Sequence, residues 1–291
     1  MSSLTVMSQQ TLPALVTDST ANLPPTQVDF WGIRVVPVQV IVGDRALQEG
    51  VDVSASDVAA ALRAGTTVST SRPAPATFAQ VYQQAADAGA THILSAHLSA
   101  DLSGTYDAAV LAAADAPVPV TVVDSRSVSM GLGYGVVAAA RVLARGGNVD
   151  EAAAAVVATA QASRVLFYVD SLDFLRRGGR IGSAQRLIGS ALAMKPILHL
   201  AKGRVKPLEK VRTASRALAR LEELAVESAD GQPVGVAVLH LDAARRAADL
   251  AVGIRSRLPE ADVIIGEVGA VIGSHVGPGM VAVVVSPVPD P

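Results

Sequence analysis

The segment Thr91-His92-Ile93-Leu94-Ser95, the loop Ser99-Ala100-Asp101-Leu102-Ser103-Gly104-Thr105-Tyr106 and the alanine-rich run at 107–114 follow one another in that order. An apolar stretch, a hydroxyl-rich loop and a helix-favouring run predict strand, loop and helix. Ser103, Gly104 and Thr105 then bring hydroxyls and free backbone N–H groups to a helix N-terminus, where the peptide dipoles favour an anion. The same residues also suit an ordinary Ser/Thr N-cap. Other small polar groups at loop positions decide between the two.

Outward from this stretch the pattern repeats. A short strand at 14–17 ends in Asp18-Ser19-Thr20, which can cap a helix or reach a ligand. The run 33–42 reads as one buried strand with Pro37 inside it, placing it at an edge or bulge. A capped helix is predicted over 54–64, an exposed Ser/Thr/Pro loop over 66–75, and helices over 76–88, 131–145 and 150–162. With a further strand at 118–123, strand alternates with helix, which indicates a parallel sheet covered on both faces.

From Arg164 the pattern changes. A strand at 166–169, a hairpin across Ala201-Lys202-Gly203, a helix at 213–228, a strand, a helix and two more strands predict a mixed sheet with helices on one face. Two domains are therefore expected, 12–162 and 163–291. The fold class is α/β: an N-terminal three-layer α/β/α unit with a parallel sheet, and a C-terminal two-layer α/β unit with a mixed sheet.

Composition narrows the function. Half of the 291 residues are hydrophobic, 17% are charged, and the net charge is −2. Without a basic excess or an aromatic platform, nucleic acid is not an expected partner. The chain has no cysteine, and its five histidines show no metal-ligand spacing, so no metal is expected. Residues 1–12 lack the basic and apolar regions of a secretory signal. The most apolar windows, 187–201 and 263–286, are broken by charges and prolines before they could span a membrane. A soluble cytoplasmic protein is expected, its apolar content filling a core or a core and a cavity.

Two segments carry unexplained polar residues. Arg176, Arg177 and Arg180 surround Gly178-Gly179. Arg180, beyond the glycines, is not accounted for by a helix end and suits a phosphate or an acidic partner. His275 lies among Gly269, Gly273, Gly277 and Gly279 with Pro278, a backbone suited to close approach.

Taken together these motifs resemble the DegV family, which includes the fatty-acid-binding subunit (FakB) of bacterial fatty acid kinase. The resemblance runs along nearly the whole chain. It rests on Thr17-Asp18-Ser19-Thr20, Ser69-Thr70-Ser71, Leu102-Ser103-Gly104-Thr105-Tyr106, Leu175-Arg176-Arg177-Gly178-Gly179-Arg180-Ile181, Lys195-Pro196-Ile197-Leu198, Lys210-Val211-Arg212-Thr213 and His275-Val276-Gly277-Pro278-Gly279.

The resemblance implies one long-chain fatty acid, such as palmitate, held between two α/β domains. It implies a kinase subunit of the FakA (DAK-like) kind as partner, no cofactor and no catalytic residue in this chain. The carboxylate ligands carried over are Thr70 with its neighbour Ser71, Ser103 or Ser99, and His275. Arg180, with Arg177, is implied in phosphotransfer with the kinase. Transient contact with a membrane surface fits a lipid carrier. Two departures stand out: Ser99-Ala100 where many relatives have Ser-Ser, and Arg72 where they have Gln. The first leaves the head-group serine open, and the second puts a charge near the site.

A buried methylene contributes about 0.8 kcal/mol, so a chain of roughly fifteen contributes about 12 kcal/mol gross, against about 1.5–3 kcal/mol for each hydrogen bond to a carboxylate. The tail then dominates affinity and the hydroxyls set orientation, satisfying the carboxylate without a cation fixed beside it. Ala191 and Ala193, against Leu192 and Met194, are candidates for shaping the tail cavity. Two alternatives remain: a binding module for another small carboxylate or a phosphorylated ligand, and an acyl hydrolase with Ser103 or Ser99 as nucleophile and His275 as base. The hydrolase lacks GxSxG, and only Asp18 and Asp124 are loop carboxylates able to orient the histidine.

Overall fold

The chain begins its regular structure with a buried strand, β1 (Ala14–Asp18), followed by α1 (Pro25–Trp31) and β2 (Arg34–Val36). The computed structural model describes residues 13–187 and 195–288. Residues 1–12, read above for a targeting signal, and the proposed tail-shaping residues Ala191, Leu192, Ala193 and Met194 lie outside the described residues.

The expected single strand over 33–42 is two strands. Pro37, which cannot donate to a ladder, stands where the chain leaves β2 and starts β3 (Gln39–Val42) in a different sheet. A tight turn at Gly43 (φ 60°) leads to β4 (Arg45–Gln48), and Ser54 caps α2 (Ala55–Arg63) through a reciprocal bond pair with Asp57. The expected loop over 66–75 is also corrected. Val68–Ser71 forms β5, antiparallel to β3 with Val40 opposite Thr70. Alternating Val, Ser, Thr and Ser suits a half-buried strand, and the prolines that forbid a helix lie beyond it.

Next come α3 (Pro75–Asp87), β6 (Ile93–His97), α4 (Thr105–Ala113), β7 (Val120–Asp124), α5 (Met130–Ala144) and α6 (Val149–Ala162). The parallel sheet has the order β2-β1-β6-β7. Phe78, Tyr82 and Ala108 from α3 and α4 cover one face. Leu132, Val136 and Val156 from α5 and α6 cover the other, which makes the three expected layers. The small β4-β3-β5 sheet is an addition the sequence reading lacked.

The second half comprises β8 (Arg164–Tyr168), α7 (Asp173–Arg177), β9 (Lys195–Ala201), β10 (Arg204–Val211), α8 (Ala214–Ala229), β11 (Val234–His240), α9 (Ala244–Arg257), β12 (Asp262–Glu267), α10 (Ala270–Val276) and β13 (Val281–Pro287). Its sheet runs β10-β9-β8-β13-β11-β12 and is mixed, with only β11 and β12 parallel. The two-residue pleat sorts the sheet's faces. Val281, Val283 and Val285 pack beneath α8 and α9, while Ala282 and Val284, with Phe167 and Leu198, face Met130 and Leu175. That second face closes against the first half of the chain.

His275 occupies the last turn of α10 rather than a glycine loop. Ala270 and Val271 bury against Val40, Val53 and Val58, so packing supplies what Gly273 withholds in helix propensity.

Candidate functional site

Between the six-stranded sheet and the first half lies a cavity of about 100 Å³. One water needs roughly 10–15 Å³, so the cavity has several times the room of one water. Its wall is apolar along most of its extent: Val165, Phe167, Ala282 and Val284 from the sheet, Leu200 and Val205 from the β9–β10 hairpin, and Leu98, Leu102 and Val128 from the first half. Thr20, Thr70, Ser71, Arg72, Ser103, Ser129, Arg180 and His275 supply the polar lining.

The polar groups come from separate elements. Thr70 Oγ1 on β5 lies 2.8 Å from His275 Nε2 on α10, a bond across 205 residues of sequence. The residue is half-buried, and its buried Nδ1 has no partner. Gly178 makes room for it, because a Cβ there would overlap Nδ1. Burial, and secondarily the charge of Arg180, pushes the His275 pKa down to about 4, so the ring is neutral at pH 7. With the proton on Nε2, the imidazole donates to Thr70 and leaves the threonine hydroxyl proton free; an Nδ1 tautomer would orphan a buried donor instead.

Ser103 Oγ lies 2.9 Å from Thr105 Oγ1 and accepts from the Thr105 N–H at 3.3 Å, at the start of α4. Gly104 carries no side-chain cap. The Arg72 guanidinium covers it, and a Cβ at Gly104 would stand 2.9 Å from Nη1. Arg180 donates from Nε to the Leu102 carbonyl at 2.9 Å and from Nη1 to the Gly178 carbonyl at 2.7 Å. It is therefore half-buried and tethered, not carried on an exposed loop. Arg72, noted above as a charge near the site, and Arg180 both line the cavity, and among the described residues no lining residue is a carboxylate.

Two sequence candidates, Ser99 and Arg177, lie apart from this cluster, and a third, Ser71, turns its hydroxyl away from it. Ser99 is buried and donates to the Gly203 carbonyl at 2.9 Å, tying the hairpin tip to the loop after β6. Arg177 is exposed with its guanidinium carbon 4.8 Å from the centre of the Phe174 ring. Ser71 lines the cavity, but its hydroxyl turns to the Arg72 carbonyl at 3.4 Å.

The carboxylates weighed for a hydrolase are engaged elsewhere. Asp18 Oδ2 bonds His97 Nδ1 at 3.0 Å and the Leu98 N–H at 3.0 Å, and His97 Nε2 continues to Ser95 at 2.7 Å; all are fully buried. Asp124 accepts from the Ala100 and Arg126 N–H groups. Neither reaches His275.

Ser129 was missed in the sequence. It precedes α5 with φ 59° and ψ −150°, a sparsely populated conformation for a residue with a Cβ, and donates to Asn22 Oδ1 at 3.1 Å. Nothing in Val128-Ser129-Met130 signals that backbone. Among the described residues no group of three or more His, Cys, Asp or Glu could hold a metal ion.

Comparison with known proteins gives a consistent picture. The family model described as "Uncharacterised protein, DegV family" matches residues 13–288. A DegV domain-containing protein of Streptomyces coelicolor is 56% identical over 274 residues, 94% of this chain and 98% of that one. Among solved structures, a DegV family protein from Thermus thermophilus described for its fatty acid binding superposes with a TM-score of 0.90 at 34% identity, over 95% of this chain and 100% of that one. DegV from Bacillus subtilis, described as a fatty acid binding protein, gives 0.88 at 29% identity, over 96% and 100%.

Proposed function

Because the chain belongs to the DegV family, we propose that it binds one long-chain fatty acid, such as palmitate, in the cavity between its halves and presents the carboxylate to a kinase subunit. The observation that carries this reading is the apolar cavity with the Thr70–His275 pair in its lining. The fatty acid binding described for the Thermus thermophilus and Bacillus subtilis proteins supports it. The tail takes the valine- and leucine-lined length, where burial contributes about 0.8 kcal/mol per methylene.

The head group meets Thr70, whose hydroxyl proton His275 leaves free, and Ser103 at the start of α4. Arg72 and Arg180 add positive potential that holds the carboxylate ionised. A carboxylate oxygen then attacks the terminal phosphorus of a nucleoside triphosphate held by the kinase. A carbon-bound O–P bond forms, the bond to the diphosphate breaks, and acyl phosphate remains. Arg180, fixed by two carbonyls beside the head group, suits the charge that develops, and exposed Arg177 suits the partner's surface.

The chain itself acts as a carrier, with no cofactor beyond its lipid. We place it in the cytoplasm, taking up lipid by transient contact with a membrane surface. No helix among the described residues is long and apolar enough to cross a membrane.

The test is extraction of the purified protein under denaturing conditions, with mass spectrometry of the extract. About one fatty acid per chain is expected, and Thr70→Ala with Ser103→Ala keeps the lipid but loses phosphorylation by the kinase. A lipid-free extract overturns the reading, as does His275-dependent hydrolysis of a p-nitrophenyl ester.

A further inference from the structure

The small β4-β3-β5 sheet holds α10 at both ends. At the last turn Thr70 bonds His275. At the first turn Glu49, directly after β4, places Oε1 2.8 Å from the Val271 N–H. Glu49 is only 6% exposed, and its own N–H donates to the Val38 carbonyl at 3.0 Å, so it is fixed to the start of β3. The carboxylate lies so close against Gly269 that a Cβ there would overlap it.

A buried carboxylate is costly to keep. Burial, with Asp18 nearby, raises the Glu49 pKa against the Ser19 hydroxyl and the Val271 N–H, and Oε2 has no partner. An apolar side chain would fill the space without that cost but could not hold an amide. Val271 and His275 are four residues apart and share a helix face, so whatever fixes the amide of one along the axis fixes the ring of the other.

We propose that Glu49 is a positioning residue for the head-group site: by holding the Val271 amide it sets the height and rotation of α10, and with them the Thr70–His275 contact. The consequence for lipid rests on the binding function proposed above; the geometric claim does not.

The test follows the His275 ring by NMR through a pH titration of full-length, delipidated protein, alongside palmitate affinity. Glu49→Ala moves the His275 midpoint up from about 4 by about one unit or more and weakens palmitate about tenfold, equivalent to about 1.4 kcal/mol. Glu49→Gln keeps an acceptor and leaves both near wild type. Gly269→Ala, at an ordinary φ of −64°, displaces the carboxylate and reproduces the Glu49→Ala shift, which keeps the test open if Glu49→Ala does not fold.

An unmoved His275 in Glu49→Ala or Gly269→Ala overturns the proposal, as does Glu49→Gln behaving like Glu49→Ala. A moved His275 in a protein that takes no lipid sustains the Glu49 contact and sinks the binding function instead.

Discussion

His275 carries two opposed demands: one nitrogen is used by Thr70 and the other faces a glycine backbone with no acceptor. Protonating it puts a charge into a buried place beside Arg180, so its folded pKa falls to about 4 from an ordinary 6.5. Between those values the unfolded chain binds the extra proton and the folded one does not. This contribution is therefore complete above pH about 6.5 and is lost as pH falls toward 4, up to roughly 3 kcal/mol. Glu49 slopes the other way, because a raised carboxyl pKa favours the fold at low pH. Urea unfolding of the wild type and His275→Gln from pH about 7.5 to about 4 separates them. The difference between the two proteins shrinks toward acid, and a constant difference would contradict the buried neutral ring. At this scale the sequence marked His275, Thr70 and Arg180 by their neighbours but could not divide the work of Ser99 and Ser103. Both are serines of one loop, and only the backbone path turns one to the Gly203 carbonyl and the other to the cavity. Glu49 carried no signal, since a single acid after a strand reads as solvated surface.

The hairpin of β9 and β10 shows how an element is held across the seam. Its tip turns through Lys202 and Gly203, both at positive φ (53° and 79°), the two-residue turn that matches strand twist. Ser99 bonds the Gly203 carbonyl, Arg126 reaches the Lys202 carbonyl at 2.8 Å, and Asp101 accepts from Arg204 at 2.6 Å and Arg126 at 3.1 Å. Removing the Ser99 hydroxyl leaves a buried carbonyl without that partner, at a cost of about 1 kcal/mol. Ser99→Ala accordingly speeds amide exchange over 199–206, measured by mass spectrometry, and leaves the parallel sheet unchanged. Equal exchange at the tip would mean that the neighbouring ion pairs suffice. This hairpin was legible because apolar runs flanked Lys-Gly. β5 was not, because its residues are those of a loop until β3 lies beside them, and α10 was not, because glycines hid a helix that packing against the small sheet makes.

For the molecule as a whole, the order of short motifs pointed to the family and to a site between the halves, and strand–helix alternation gave the two larger sheets, while the residues that meet across the seam were not legible. Periodicity says that Ala282 and Val284 are buried, never against what. Their face closes on the cavity, so a ligand bound there as proposed would link the halves, and anything that binds only the folded state stabilises it. Palmitate at about a hundred times its dissociation constant adds about 2.7 kcal/mol, and the melting temperature of delipidated protein rises by about 5 °C or more. A melting point indifferent to palmitate would place the lipid elsewhere or nowhere.

The bond between Thr70 and His275 has one end in each half of the chain. Under the proposed function, parting the halves far enough to free a hydrocarbon tail therefore also unfastens the grip on its acid group. Such a carrier exchanges cargo all at once, with no stage at which an empty tunnel still clings to a carboxylate. How long a molecule stays aboard then depends on how readily the seam parts, and a substitution that loosens the seam away from the cavity shortens residence time even where every contacting atom is preserved.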